Sequence, residues 1–131
     1  VRQIIKAHGC ITDPSKIVLT RSQYFQERQN HPNFYKVLDA LFLTNTLLFL
    51  GYSLSDPDIQ LMLENSNITY KASHPHYALV EEGMEESIKK AYKEAYNIDF
   101  VEFPPGDFAK ANEMLEELVQ LVNKRRETNP A

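Results

Sequence analysis

Two short stretches carry the side chains best suited to chemistry. In "KAHG", His8 stands before Gly9 at the end of a β-prone run; in "LLFLGYSLSDPD", an apolar run meets Gly51, and Ser53, Ser55 and Asp56 follow. A histidine titrates close to neutrality and so can accept or deliver a proton under ordinary conditions. A glycine at a strand end lets a ligand approach the backbone, and serine hydroxyls both donate and accept hydrogen bonds. Asp56 occupies an N-cap position with Pro57 first in the helix, whose opening N–H groups lack intrahelical partners. Asp56 and Asp58 would repel a phosphate held directly over that helix end. A sugar hydroxyl or a water network is therefore expected at the acidic residues, and a phosphate nearer Gly51 and Ser53. Plainer readings stand beside these. Ser-Asp-Pro is a common way to start a helix, and a histidine before glycine often does no more than close a turn.

The remaining candidates are weaker. His74 and His76 have the spacing of one strand face, but no acidic or cysteine ligands follow at metal spacing, so no metal site is expected. His31 precedes Pro32 in a turn and reads as solvated. Cys10 follows His8 closely, yet nothing basic besides His8 is placed near it by the sequence, and it reads as a small packed thiol rather than a nucleophile.

These residues sit in a chain of 131 residues with 43% hydrophobic and 24% charged positions, ordinary for one globular domain spanning 1–131. The formal charge of −4 argues against a nucleic-acid groove. The basic run Lys124, Arg125, Arg126 is better explained as a favourable partner for a helix C-terminus. One cysteine excludes an internal disulfide and a multi-cysteine zinc site and suits a cytoplasmic setting. No apolar run approaches the ~20 residues of a membrane helix. The chain opens on Val1 and enters a strand-like run at once, as a piece of a longer protein would.

The elements that must position the candidates follow from periodicity. Strands are expected over 2–7 and 17–20, with a turn at Asp13-Pro14-Ser15 between them. Thr20 caps a helix to about Arg28, and "QNHPN" interrupts it. From Phe34, the positions Val37, Leu38, Leu41 and Phe42 form one helical face. "TLLFLGY" does not alternate and reads as a strand buried on both faces. A helix from Asp56 to about Asn65, a strand at "HYALVEE", a helix over 84–96 with Glu85–Lys89 and Glu86–Lys90 pairs, and a strand at "IDFVEF" come next. Pro104-Pro105-Gly106-Asp107 stops that strand and caps a last helix to about Arg126, with Ala111, Met114, Leu115, Leu118, Leu121 and Val122 at helical spacing; the final "ETNPA" is expected to fray. Helices and strands alternate without hairpin signals, so the expected class is α/β, a layered fold of parallel strands joined by crossover helices. In open parallel sheets ligands bind beyond the carboxyl ends of the strands, where "FLGYSLSDPD" falls.

Read together, "IIKAHGCITDPSKIVLTRSQY" and "LFLTNTLLFLGYSLSDPDI" resemble the second half of the sirtuin-like domain family, in the zinc-free bacterial branch found in NAD-consuming antiphage defence proteins. The shared pattern is lysine, one residue, His-Gly; a short gap to Asp-Pro; "IVLT" followed by a tyrosine; and strand-Gly-Tyr-Ser-Leu-Ser-Asp-Pro. It spans about 4–62. The resemblance implies a three-layer Rossmann-like domain, a parallel sheet flanked by helices, that binds NAD, with His8 as catalytic histidine and Gly9, Gly51, Ser53 and Asp56 at the cofactor. Asp56 departs from the deacetylase pattern and looks like the defence branch. The lack of a cysteine quartet separates the chain from zinc-bearing deacetylases, so the implied reaction is hydrolysis of the nicotinamide–ribose bond through an oxocarbenium-like state. His8 would take a proton from a ribose hydroxyl or from water.

The family's glycine-rich turn and catalytic asparagine lie before the histidine, and neither is found in a chain with four glycines and no Gly-x-Gly. The expectation is an incomplete Rossmann-like unit, the C-terminal portion of a sirtuin-like NAD-binding domain, inactive alone and completed by a missing N-terminal half. It would leave an apolar edge or face and self-associate as a homo-oligomer. The alternatives are a non-catalytic sirtuin-like module that senses a nucleotide or docks a protein, and an unrelated α/β domain whose turns mimic the pattern.

Overall fold

A computed structural model describes residues 4–69 and 74–128, without the side chains of residues 57, 58 and 69. The chain divides into two compact units, Val1–Leu41 and Phe42–Ala131.

The first unit holds a single 3-10 turn, Pro14–Lys16, helix α1 (Arg21–Asn30) and most of helix α2 (Pro32–Thr44). Thr20 starts α1 as expected. Its hydroxyl accepts from Gln23 N at 3.2 Å while Gln23 Oε1 accepts from Thr20 N at 3.1 Å, a reciprocal capping box. Tyr24 and Tyr35 are buried and meet edge to face at 5.6 Å. The Arg28 guanidinium lies 5.7 Å and 5.1 Å from the two ring centres and 3.4 Å from Asp39. Rings, cation and carboxylate together bind α1 to α2, each cation–π contact contributing about 0.5–1 kcal/mol. That aromatic contact turns the inward face of α2 towards Tyr35 and Leu38. Val37 is consequently 59% exposed, against the expected core position.

The two expected strands of this unit are not formed in the described residues. Residues 4–7 and 17–20 take no strand, and Ile4 is 90% exposed; Arg2 and Gln3 lie outside the described residues. A strand exists through its ladder, and here the link between the segments is one bond, Val18 N to His8 O at 3.1 Å. β-branched propensity without a paired neighbour leaves the backbone extended but unassigned.

The second unit alternates β1 (Leu48–Leu50), α3 (Pro57–Thr69), β2 (His76–Glu81), α4 (Glu86–Tyr96), β3 (Ile98–Phe103) and α5 (Phe108–Thr128). The strands are parallel in the order β1-β2-β3, with Leu48 opposite Tyr77 and Tyr77 opposite Asp99. The fold is α/β, a Rossmann-type parallel sheet with helices in its connections, as the alternation and the resemblance together implied. Side chains alternate across the sheet. One face carries Ala78, Ile98 and Phe100 towards α4, where Tyr92 meets Phe100 at 5.6 Å. The other carries Leu48, Tyr77, Leu79 and Val101 towards α5. Asn97, at φ 53, ends α4 in the left-handed conformation, and Asp107 Oδ1 caps α5 by accepting from Lys110 N at 2.9 Å.

Two local expectations are corrected. β1 is not buried on both faces: Leu48 is 40% and Leu50 48% exposed, because β1 is an outer strand of the described sheet. On α4, Lys89 binds Glu86 and Glu102, each at 2.7 Å, rather than Glu85, and Lys90 reaches Glu94 at 3.8 Å rather than Glu86. Glu102 on the adjacent strand offers Lys89 a partner shielded from solvent, which an intrahelical glutamate does not.

Candidate functional site

His8 and Gly9 stand at the neck of a clamped loop in the first unit. Gly9 N donates to Lys6 O at 3.1 Å, Asp13 N to Cys10 O at 2.9 Å, and Lys16 N to Asp13 O at 3.1 Å; the Val18–His8 bond then closes the loop. The backbone turns sharply at Gly9, φ +83, and passes so near Lys16 that a Cβ there would collide with the Lys16 carbonyl. Glycine is required at this position on both counts. The imidazole beside it is exposed.

Cys10 is where sequence reasoning fell short. It is a half-exposed thiol rather than a packed one, and Lys6 Nζ approaches its sulfur to 2.9 Å. That ammonium, helped by hydrogen bonds from Thr12, lowers the thiol pKa from 9.0 to about 7. The four-residue spacing of Lys6 and Cys10 was the available signal, but it points to a contact only once the loop is known to curl. His31 is exposed, as expected, and lies 3.5 Å from Glu27.

Gly51, Ser53 and Asp56 are gathered into one turn of the second unit, at the carboxyl end of β1. Gly51 has φ +59 and open space around it. Ser53 and Ser55 are exposed, their hydroxyl oxygens 2.6 Å apart. Between them Leu54 takes φ 57 with its side chain buried. Tyr52 stacks on Phe49 at 5.9 Å, fixing the turn to the strand before it. Asp56 is partly buried and its carbonyl accepts from Gln60 N at 3.0 Å, the first bond of α3. The side chain of Asp58 lies outside the described residues. His8 with Gly9, and Gly51 with Ser53 and Asp56, thus belong to different units.

A cavity of about 300 Å³ in the first unit is lined by Lys6, Gly9, Lys16, His31, Phe34 and Tyr35. A larger groove, about 650 Å³, runs between α5 and the sheet in the second unit and is almost wholly apolar. Neither is lined by His8, Gly51, Ser53 or Asp56. Among the described residues no three His, Cys, Asp or Glu side chains are grouped as metal ligands. His76 is buried, and its Nδ1 accepts from Leu47 N at 3.2 Å; burial pushes its pKa down. It is a structural acceptor, and His74 lies exposed outside that contact.

Residues 1–101 match the model of the SIR2-like domain. The chain belongs to the SIR2-like domain family. Both turns fall inside the matched stretch. Among its relatives, the NAD(+) hydrolase ThsA of Enterococcus faecium is 31% identical over 86 residues, covering 64% of this chain and 18% of that protein. The NAD(+) hydrolase ThsA of Bacillus cereus (strain MSX-D12) is 28% identical over 79 residues, covering 60% and 17%. Defense-associated sirtuin 2 of Bacillus subtilis is 31% identical over 65 residues, covering 47% and 6%. The chain therefore matches less than a fifth of the length of each of these relatives. As a SIR2-like chain it is set apart from the unrelated α/β alternative.

Proposed function

We propose that this chain is the C-terminal portion of a sirtuin-like NAD-binding domain in an NAD-consuming defence protein, and that it supplies part of a site for hydrolysis of the nicotinamide–ribose bond. The observation that carries this reading is the turn after β1. It lies at the carboxyl end of a parallel strand, where open sheets bind ligands, and it combines an open left-handed glycine with paired exposed hydroxyls. The relatives' printed names supply the class of substrate.

In this reading Gly51 admits the dinucleotide to the backbone, Ser53 hydrogen-bonds it, and Asp56 holds a ribose hydroxyl directly or through water. Gly9 lets the His8 loop close. His8 is the general base, taking a proton from the ribose or from the attacking water as the bond to nicotinamide breaks. Zinc has no part in the step. The pyrophosphate is cradled by a glycine-rich half outside these residues, since the chain holds no Gly-x-Gly.

The test has two arms. The 131-residue chain, incubated with NAD at micromolar concentration, is expected to show neither a thermal shift nor nicotinamide release by chromatography. The longer protein that includes a glycine-rich half is expected to release nicotinamide and to lose at least ~100-fold in rate on His8→Ala. Full activity in that variant would remove His8 from the reaction. A second reading is a non-catalytic nucleotide-sensing or protein-docking module, which loss of the glycine-rich turn from the longer protein would favour; binding of NAD by the longer protein without nicotinamide release would select it.

A further inference from the structure

We propose that Gln60 is a positioning residue for the turn after β1: its side-chain amide locks Leu54 in the left-handed conformation, and through it the Ser53–Ser55 hydroxyl pair. That this pair meets a nucleotide rests on the reading above; the lock itself does not.

Leu54 is the anomaly that needs a cause. A non-glycine residue at φ 57 is disfavoured because its Cβ crowds the carbonyl, and such residues persist where their surroundings over-determine them. Two restraints are present. The Leu54 side chain is 4% exposed, which anchors it inward, and its carbonyl accepts from Gln60 Nε2 at 2.7 Å. Gln60 is itself held, its N–H bonded to Asp56 O at 3.0 Å in the first turn of α3. One residue therefore grips the turn at two points, from a helix that cannot easily follow the loop if it opens.

The consequence falls on the serines. In extended backbone, side chains two positions apart share a face but stand too far apart to touch. Here the left-handed residue between them folds the chain so that the two hydroxyl oxygens come to 2.6 Å. One hydroxyl then donates to the other and leaves a single O–H available to donate beside acceptor lone pairs, the arrangement suited to one oxygen of a sugar or phosphate. Without the Gln60 bond, Leu54 can relax to negative φ and the pair separates.

Gln60→Met keeps length and volume and removes the donor. In NMR of the chain as it stands, Leu54 is expected to show the strong intraresidue HN–Hα Overhauser contact of a positive φ, and Gln60→Met to weaken it several-fold with the contacts of β2 and β3 unchanged. Gln60→Lys, whose ammonium can still donate to the Leu54 carbonyl, is expected to keep it strong. An unchanged contact in Gln60→Met, or equal weakening in both variants, would overturn the lock. In the longer protein, Gln60→Met is expected to raise the KM for NAD several-fold, as Ser53→Ala does, with kcat within about two-fold. If Ser53→Ala leaves KM unchanged, it is the nucleotide reading that fails, while the Overhauser contact of Leu54 still decides the role of Gln60.

Discussion

At the scale of single residues, Cys10 separates what a spacing can say from what a loop must build. The thiol and Lys6 are four positions apart, and only the curl closed by the Val18–His8 bond sets ammonium against sulfur at 2.9 Å. With a pKa of about 7 in place of 9.0, roughly half of the thiol is ionised at neutral pH. Thiolate nucleophilicity falls as pKa falls, and the two effects together leave a net advantage of about six-fold over an unperturbed thiol. Iodoacetamide is therefore expected to alkylate Cys10 several-fold faster than a model thiol at pH 7, with the advantage shrinking in Lys6→Met and reversing at pH 10, where both thiols are ionised and the less basic thiolate is the slower nucleophile. Equal rates for the chain and Lys6→Met at pH 7 would mean that the ammonium does not act on the sulfur in solution. The same contrast explains what was legible at the site. His8, Gly9, Gly51, Ser53 and Asp56 stand out as types in a strand-end setting. Leu54 and Gln60 do not, because a leucine in the left-handed region and a glutamine serving as a staple have no sequence signature.

At the scale of elements, caps and period did most of the work. The Thr20–Gln23 box, the Asp56-Pro57 start and the Asp107 cap all begin helices where their side chains require them. Strands were less legible, because a strand's state depends on a neighbour the local sequence does not contain. The apolar run at β1 reads the same whether its faces are covered or open, and Ile4-Ile5 has strand propensity with no described ladder. The junction of β1 and β2 carries a pH dependence. His76 is buried and its Nδ1 accepts the Leu47 N–H, so protonation would both charge a buried ring and turn the acceptor into a donor. Its pKa is depressed by burial below the ordinary 6.5, and PROTON uptake is then greater in the unfolded chain over the interval between the two values. Stability is expected to hold above pH 6.5, to fall as the pH drops below it, and to level off beneath the folded value. Urea midpoints measured from pH 8 to pH 4.5 check this, with His76→Gln expected to flatten that part of the slope. A slope in His76→Gln identical to that of the native chain would assign the dependence to other groups.

At the scale of the molecule, the second unit leaves an apolar groove open between α5 and its sheet. Leu118 and Leu121 on α5 are 41% and 58% exposed, and across the groove Leu48 and Val101 are 40% and 37% exposed. β1, an outer strand of the described sheet, adds backbone donors and acceptors beside that groove. A contiguous patch of this kind drives association in water, because burying apolar area against a like surface releases on the order of 25 cal/mol per Å². We expect the chain to self-associate through this face. In sedimentation velocity the weight-average coefficient should rise with concentration through the micromolar range, and a charge placed in the groove by Leu118→Glu or Leu121→Glu should return it towards the monomer value. Both positions lie on an exposed helix face, so circular dichroism can verify that the variants stay folded. A single monomeric species at every concentration would show that the groove is satisfied within the chain, and the expected homo-oligomer would then be abandoned.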